Sequence, residues 1–212
     1  MKLDLLTLFP EYFASPLRTS ILGRAVRAGV VAMRVIDIRE FADPPHYKTD
    51  APPYGGGPGM VLRPEPVVRA VRRAEEGAEA PPLRILLTPQ GERFTQAAAR
   101  DLAGQAHLVV VCGHYEGYDE RIRTVLAPRE ISLGDFVLTG GEPAAAAMLD
   151  AVVRLLPGAL GNDESARDES FSSGLLEGPH YTRPETFEGQ AVPEVLRSGD
   201  HEAVRRWRAD QA

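Results

Sequence analysis

The sequence is poor in several features that would each announce a function. It has a single cysteine, Cys112, so it can close no internal disulfide and build no Cys-rich zinc site. Its histidines, at 46, 107, 114, 180 and 201, are scattered, and no His-Glu-x-x-His occurs, which argues against a transition-metal centre. No apolar run reaches the ~18–20 residues of a membrane span. The opening Met-Lys-Leu-Asp-Leu-Leu enters a strand pattern directly and lacks a signal-peptide layout, so the cytoplasm is the expected compartment. Gly-x-Ser-x-Gly is absent, and so is the Gly-Lys-Ser/Thr of a phosphate-binding loop. The formal net charge of −6 excludes a chain that coats nucleic acid without selectivity, but leaves room for a local basic patch.

What is present is a globular composition, 43% hydrophobic and 25% charged over 212 residues, enough for one sizeable domain and a small second one. Two runs stand out, Val109-Val-Val-Cys-Gly-His-Tyr-Glu-Gly-Tyr-Asp119 and Ile131-Ser-Leu-Gly-Asp-Phe-Val-Leu-Thr-Gly-Gly-Glu142. In each, an apolar stretch with strand character passes into a loop rich in glycine and polar groups. Glycine lets main-chain amides approach a flat ligand, and loops at the carboxyl ends of strands are where open α/β sheets bind ligands. The two loops are expected to form one pocket built mostly from backbone.

Hydrophobic periodicity predicts alternating strands and helices. Strands are expected over Leu3–Phe9, Val30–Ile38, Leu83–Thr88 (ended by Pro89), His107–Cys112 and Glu130–Leu133. Helices are expected over Ser20–Ala28, Pro64–Glu76, Thr95–Leu102, Tyr118–Val125, Glu142–Leu156 and His201–Ala209. Helix 142–156 is apolar nearly all round, which suits a core or a subunit interface. Residues 42–62 form a long irregular stretch of a kind that is uncommon unless functional. Residues 161–174 read as a polar, flexible linker between a domain at 1–160 and a smaller one at 175–212. The fold class is α/β, with a mostly parallel sheet covered on both faces.

Some features favour plain readings. In Gly55-Gly-Gly-Pro-Gly59 the glycines do not fit a dinucleotide fingerprint, and Pro58 removes an amide donor that a phosphate cradle would use. Cys112 ends a buried strand, where inert packing is the expected role. The arginines at 69, 72 and 73 and at 205, 206 and 208 suit solvated helix faces.

Taken in order, the motifs resemble those of the bacterial tRNA (guanine-N1)-methyltransferase family, a SPOUT-class group with a trefoil-knotted α/β fold. The likeness runs through Leu6-Thr-Leu-Phe-Pro10, Asp37-Ile-Arg39, Tyr54-Gly-Gly-Gly-Pro-Gly-Met60, Leu87-Thr-Pro-Gln-Gly91, Cys112-Gly-His-Tyr-Glu-Gly-Tyr-Asp-Glu-Arg121, Leu133-Gly-Asp-Phe-Val-Leu-Thr-Gly-Gly-Glu142, Pro179-His-Tyr-Thr-Arg-Pro184 and Arg205-Arg-Trp-Arg208. The knot is implied by the resemblance alone, since deep knots are nearly absent from proteins.

The resemblance implies S-adenosylmethionine as methyl donor and methylation at N1 of the guanine just 3′ of the tRNA anticodon, position 37. It places the cofactor against Leu87, Pro89, Gly113, Tyr115, Glu116 and Gly117. Ile131, Leu133, Gly134, Asp135, Phe136, Val137, Leu138, Gly140 and Gly141 complete that pocket. The family's general base is an aspartate just before Ser-Phe in the linker; here Glu169 holds that position and Asp168 precedes it, so Glu169 is favoured and Asp168 is the alternative. Arg154 corresponds to the family's catalytic arginine, and the reaction is implied to need Mg²⁺. The resemblance further implies a homodimer with the active site at the subunit interface. Lys48, Arg183, Arg205, Arg206 and Arg208 are the candidates for contacting tRNA phosphates. Family members usually continue beyond the segment matching Arg205–Arg208, whereas this sequence stops at Ala212, so part of the tRNA-binding domain is expected to be short.

Two other readings compete with the enzyme. One is a cofactor-binding dimer that grips RNA without methylating it, consistent with the Asp-to-Glu change and the short terminus. The other is a nucleotide-dependent transferase with phosphate on Gly55–Gly59.

Overall fold

A computed structural model describes residues 1–160, 170–171 and 176–212. The chain divides into two compact units, Met1–Gly161 and Asn162–Ala212.

The first unit opens with β1 (Lys2–Thr7), α1 (Ser20–Arg27) and β2 (Ala32–Asp37). Within the long stretch that follows, β3 (Asp50–Ala51) and β4 (Val61–Leu62) pair antiparallel. Then α2 (Pro64–Glu75) starts on a proline, whose missing N–H costs nothing in a first turn. It buries Val67, Ala70, Val71 and Ala74, one stripe at i, i+3, i+4, i+7 spacing. Next come β5 (Leu83–Arg93) and α3 (Gln96–Ala103), capped by the Thr95 hydroxyl accepting from the Ala98 N–H at 3.2 Å. They are followed by β6 (His107–Cys112), α4 (Glu120–Leu126) with Asp119 as its cap, β7 (Arg129–Ser132) and α5 (Glu142–Val153).

Five strands form one parallel sheet in the order β2-β1-β6-β5-β7. Alternation along each strand divides its side chains between two cores. Leu3, Leu5, Leu108, Val110 and Ile85 pack with α1, α3 and α5, while Leu6, Val109, Val111 and Leu86 pack with α2 and α4. The apolar α5 is explained by this core: Ala145, Met148, Leu149, Val152 and Val153 are all buried within the unit.

The amino-terminal ends of the central strands hold a charged cluster. Asp4 is fully buried and accepts from Arg34 Nε at 2.5 Å and Nη2 at 2.8 Å, with His107 Nε2 at 2.8 Å and Lys2 at 3.8 Å. Burial pushes the Asp4 carboxyl up. The hydrogen bonds from Arg34 and His107 and the charges of Arg34 and Lys2 outweigh it and hold the carboxyl below its ordinary 3.8. A carboxyl whose folded pKa is depressed contributes stability above its unfolded pKa and loses it as pH falls through the folded value. Asp4→Asn is therefore expected to cost about 3 kcal/mol near neutrality, the lower end for a broken buried pair because Arg34 keeps access to water. Denaturant titrations below pH 4 should show the difference between the two proteins shrinking.

The structure departs from the sequence reading in several places. β5 does not stop at Pro89: it leaves β7 after Leu87, bulges through Thr88–Gly91, and pairs with β7 again at Glu92 and Arg93, so that Ile131 faces both Leu87 and Glu92. The bulge keeps Pro89 out of the ladder, where its missing N–H would be a defect. β2 gives way at Ile38 to a 3₁₀ turn, Ile38–Phe41, where the Asp37 carboxylate accepts from the Arg39 N–H. The second unit holds more than a helix. It pairs β8 (Thr186–Phe187) with β9 (Gln190–Ala191) and ends in α6 (His201–Asp210), whose first N–H groups donate to Asp200 at 3.0 Å.

Candidate active site

A cleft of about 840 Å³, counting its open mouth, lies beside the β5 bulge and the carboxyl ends of β6 and β7. Three segments wall it: Leu87–Gln90 around the β5 bulge, Gly113–Tyr118 after β6, and Ile131–Gly141 from the end of β7 onward, apart from Asp135.

The glycines are placed where the chain passes too close for a side chain. A Cβ on Gly113 would lie 2.7 Å from the Tyr118 hydroxyl oxygen and 2.8 Å from its Cζ. A Cβ on Gly141 would lie 2.7 Å from the Gly113 nitrogen and 2.8 Å from the Cys112 Cα. That close approach is sealed by the Gly141 N–H donating to the Gly113 carbonyl at 2.8 Å, beside an antiparallel bridge between His114 and Gly140. Tyr115 sits at φ +61°, a left-handed conformation that costs a bulky residue about 1–3 kcal/mol, so strain is held at the cleft.

Side chains complete the walls. Tyr118 is buried, and its hydroxyl stands 3.1 Å from the carbonyls of both Leu87 and Val111, tying β5 and β6 together. Burial pushes the Tyr118 phenol well above its usual range, so the group stays a neutral donor. Burial, with help from the Glu142 charge, likewise pushes the Cys112 thiol well up, and a buried thiol in that state is an inert packing group. Glu142 is 4% exposed, and its Oε1 accepts from the Thr7 hydroxyl at 2.6 Å. The glycine-rich loop before β4 is stitched to the cleft: the Glu116 N–H donates to the Met60 carbonyl at 3.0 Å, and the Glu116 side chain covers Gly59 so closely that a Cβ there would meet its carboxyl.

Of the fifteen cofactor positions expected from sequence, fourteen face this cleft. Asp135 does not line it; its side chain is 84% exposed and pairs with Arg93. Arg154 is half-buried and stands at the C-cap of α5, one residue beyond the helix that was expected to contain it. Lys48, Arg183, Arg205, Arg206 and Arg208 are exposed. Glu169 and Asp168 lie outside the described residues. Sequence reading missed Thr88, Gln90, His114, Tyr118, Ser132, Thr139 and Ala144 as cleft residues. His114, Ser132 and Thr139 sit inside or beside the two glycine-rich runs, so adjacency was their available signal.

Comparison with known proteins agrees with the resemblance. Residues 1–212 match the family described as tRNA (Guanine-1)-methyltransferase TrmD. The chain is 54% identical over 212 residues to a tRNA (guanine-N(1)-)-methyltransferase of Anoxybacillus flavithermus, a match covering 100% of this chain and 86% of the relative. Proteins of the same name from Geobacillus kaustophilus and Dehalococcoides mccartyi are 55% and 52% identical, with the same coverage.

Proposed function

The chain belongs to the tRNA (guanine-1)-methyltransferase family, and from that premise we propose that the cleft beside the β5 bulge and the ends of β6 and β7 is its catalytic site. The protein is an enzyme that moves a methyl group from S-adenosylmethionine to N1 of guanine in tRNA. The observation that carries the assignment of the site is the set of side-chain-free positions, Gly113, Gly140 and Gly141, at which the β6 and β7 loops meet over the cleft.

The cleft fits the cofactor. Leu87, Ile131, Leu133 and Leu138 offer apolar faces for an adenine ring, and the glycine loops bring main-chain amides and carbonyls within reach of its polar edges. When bound, S-adenosylmethionine supplies an electrophilic methyl on a sulfonium. Gly113, Tyr115, Glu116, Gly117, Gly134, Phe136, Val137, Gly140 and Gly141 are the further cleft residues proposed to hold it. A Mg²⁺ requirement is part of the family resemblance. Among the described residues no three His, Cys, Asp or Glu groups gather to hold a metal, so those residues do not by themselves form a Mg²⁺ cage.

Guanine N1 carries a proton at neutral pH. Glu169, or Asp168 in its place, would take that proton as the N1–methyl bond forms and the methyl's bond to the sulfonium sulfur breaks, leaving a neutral thioether. Negative charge then builds toward O6, and the Arg154 guanidinium stabilises it. Arg154→Ala is expected to lower single-turnover methyl transfer by about 10²-fold or more while changing affinity for S-adenosylhomocysteine only slightly. An unchanged rate would remove Arg154 from the mechanism.

Further features follow from the same reading. The target is the guanine 3′ of the anticodon, position 37, which must leave its stack to reach the cleft. Lys48, Arg183 and the α6 arginines 205, 206 and 208 contact phosphates, offsetting the chain's net charge of −6. Residues 1–160 hold the catalytic domain, 161–174 a linker and 175–212 a tRNA-binding domain. Two chains associate with the site at their interface, a reading supported by Phe136 and Val137, which line the cleft yet are 54% and 86% exposed. The trefoil knot is supported by the path after β7, which leaves the sheet edge and returns across β5 to lay Gly140 and Gly141 on the end of β6. Among the described residues no helix is long and apolar enough to cross a membrane. The proposed compartment is the cytoplasm, where a tRNA-modifying enzyme meets its substrate.

The decisive experiment offers S-adenosylmethionine and tRNA transcripts with guanine or adenine after the anticodon, then maps the methylated base. Methyl on the guanine transcript alone is the expected result. Equal methylation of both would refute the proposed target.

A further inference from the structure

Beside the cleft a buried carboxylate stands next to an imidazole nitrogen that lacks a partner. His114 lines the cleft wall with its ring against Phe9 and Tyr115, at centroid separations of 4.9 and 5.1 Å. Its Nδ1 is the one buried side-chain nitrogen or oxygen without a hydrogen bond among the described residues. A buried polar atom left unpaired costs about 1–3 kcal/mol, so such a group calls for an explanation.

The explanation lies over Gly140. The place that a Cβ on Gly140 would take is 2.4 Å from Glu142 Oε2 and 2.6 Å from His114 Nδ1. The two atoms are thus at most about 5 Å apart, close enough for the carboxylate charge to favour a proton on Nδ1. Any side chain at position 140 would fill that gap. The carboxylate itself is anchored from the other side. The Thr7 hydroxyl accepts from the Phe9 N–H at 2.9 Å, which leaves its own proton to donate to Glu142 Oε1. With Oε1 occupied, Oε2 is the oxygen turned toward His114.

We propose that Thr7, Glu142 and His114 form a positioning relay in which Glu142, facing His114 across Gly140, holds it as its Nδ1–H tautomer. This fixes the imidazole to the 140–141 turn and with it the strained Gly113–Gly117 loop. The relay serves cofactor binding and therefore rests on the cleft being the cofactor site. A carboxylate that orients an imidazole through one nitrogen fixes which nitrogen carries the proton. Here that leaves Nε2 as an acceptor.

Two measurements test it. Long-range ¹H–¹⁵N correlation spectra of the wild-type protein in mildly alkaline buffer, with His114 assigned by its loss in His114→Phe, should show the Nδ1–H pattern; an Nε2–H pattern would overturn the relay. Calorimetry with S-adenosylhomocysteine should show affinity weakened on the order of tenfold in His114→Phe, which keeps the ring stack, and largely recovered in His114→Asn, which restores a donor near Nδ1. Equal affinity of His114→Phe and wild type would also overturn it. A wild-type protein that fails to saturate with S-adenosylhomocysteine would instead sink the cofactor-site assignment, while the tautomer spectrum would still report on the contact with Glu142.

Discussion

Glu169→Gln should lower single-turnover methyl transfer by about 10²–10⁴-fold while leaving affinity for S-adenosylhomocysteine close to that of the wild type. N1 of guanine is protonated at neutral pH, so its lone pair is not available for attack until the proton is taken. A carboxylate accepts that proton; the glutamine amide has nearly the same shape and cannot. Glu169 is one methylene longer than the family's aspartate and keeps the carboxylate. The neighbouring Asp168 is the built-in control. Asp168→Asn is expected to reduce the rate far less, because successive residues do not present their carboxylates at the same point. Full activity in Glu169→Gln together with a collapse in Asp168→Asn would move the base one residue back. Comparable losses in both would mean that the segment's negative charge matters more than one proton acceptor.

How far such a site is legible in a sequence depends on what each residue is limited by. β6 was readable to the residue because His107–Cys112 is an apolar run with nothing competing against it. β5 was read short because Pro89 lacks an N–H. Only the partner strand shows that the chain can bulge around that proline and resume pairing at Glu92. The glycine loops were legible as loops, but what they avoid was not: Gly113 yields to Tyr118, a residue whose sequence pattern had suggested only the start of a helix. Asp135 was drawn into the pocket by its neighbours in the run, whereas the turn after β7 points it outward to Arg93. Burial of α5 was evident from its composition, though not whether a core or a second chain received it; the contacts with α1, α3 and the sheet supply that. Glu169, Asp168 and Arg154 could be singled out only by resemblance, since a carboxylate in a polar segment and an arginine at a helix end carry no periodic signal.

The β6 and β7 loops should prove inseparable in Gly141→Ala. Gly141 has φ −78° and ψ −12°, a conformation open to any residue, so the substitution adds no backbone strain of its own. The cost is wholly one of space. The new methyl would stand 2.7 Å from the Gly113 nitrogen, 2.8 Å from the Cys112 Cα and 3.1 Å from the Cys112 carbonyl carbon. All three are main-chain atoms at the end of the central strand of the sheet, and no rotamer change moves them. The amino-terminal end of α5 must retreat instead, which lengthens the 2.8 Å bond from the Gly141 N–H to the Gly113 carbonyl and shifts the neighbouring Glu142 away from Thr7. Overpacking of this kind costs up to about 3 kcal/mol, a fall in Tm of roughly 6–12 °C for a chain of this size. Gly104→Ala is the matched control: φ is again ordinary, and the nearest atom, the Asp101 carbonyl oxygen, is 3.4 Å away. It should change stability by less than about 1 kcal/mol. Measured well below either Tm, where both variants are folded, methyl transfer should fall by about 10²-fold in Gly141→Ala, because an error of roughly 1 Å in the cleft wall misaligns the reacting groups. In Gly104→Ala it should not change. If the two alanines behaved alike in both readouts, the tight meeting of the loops at Gly141 would have no part in building the site, and the catalytic cleft would have to be assigned to other residues.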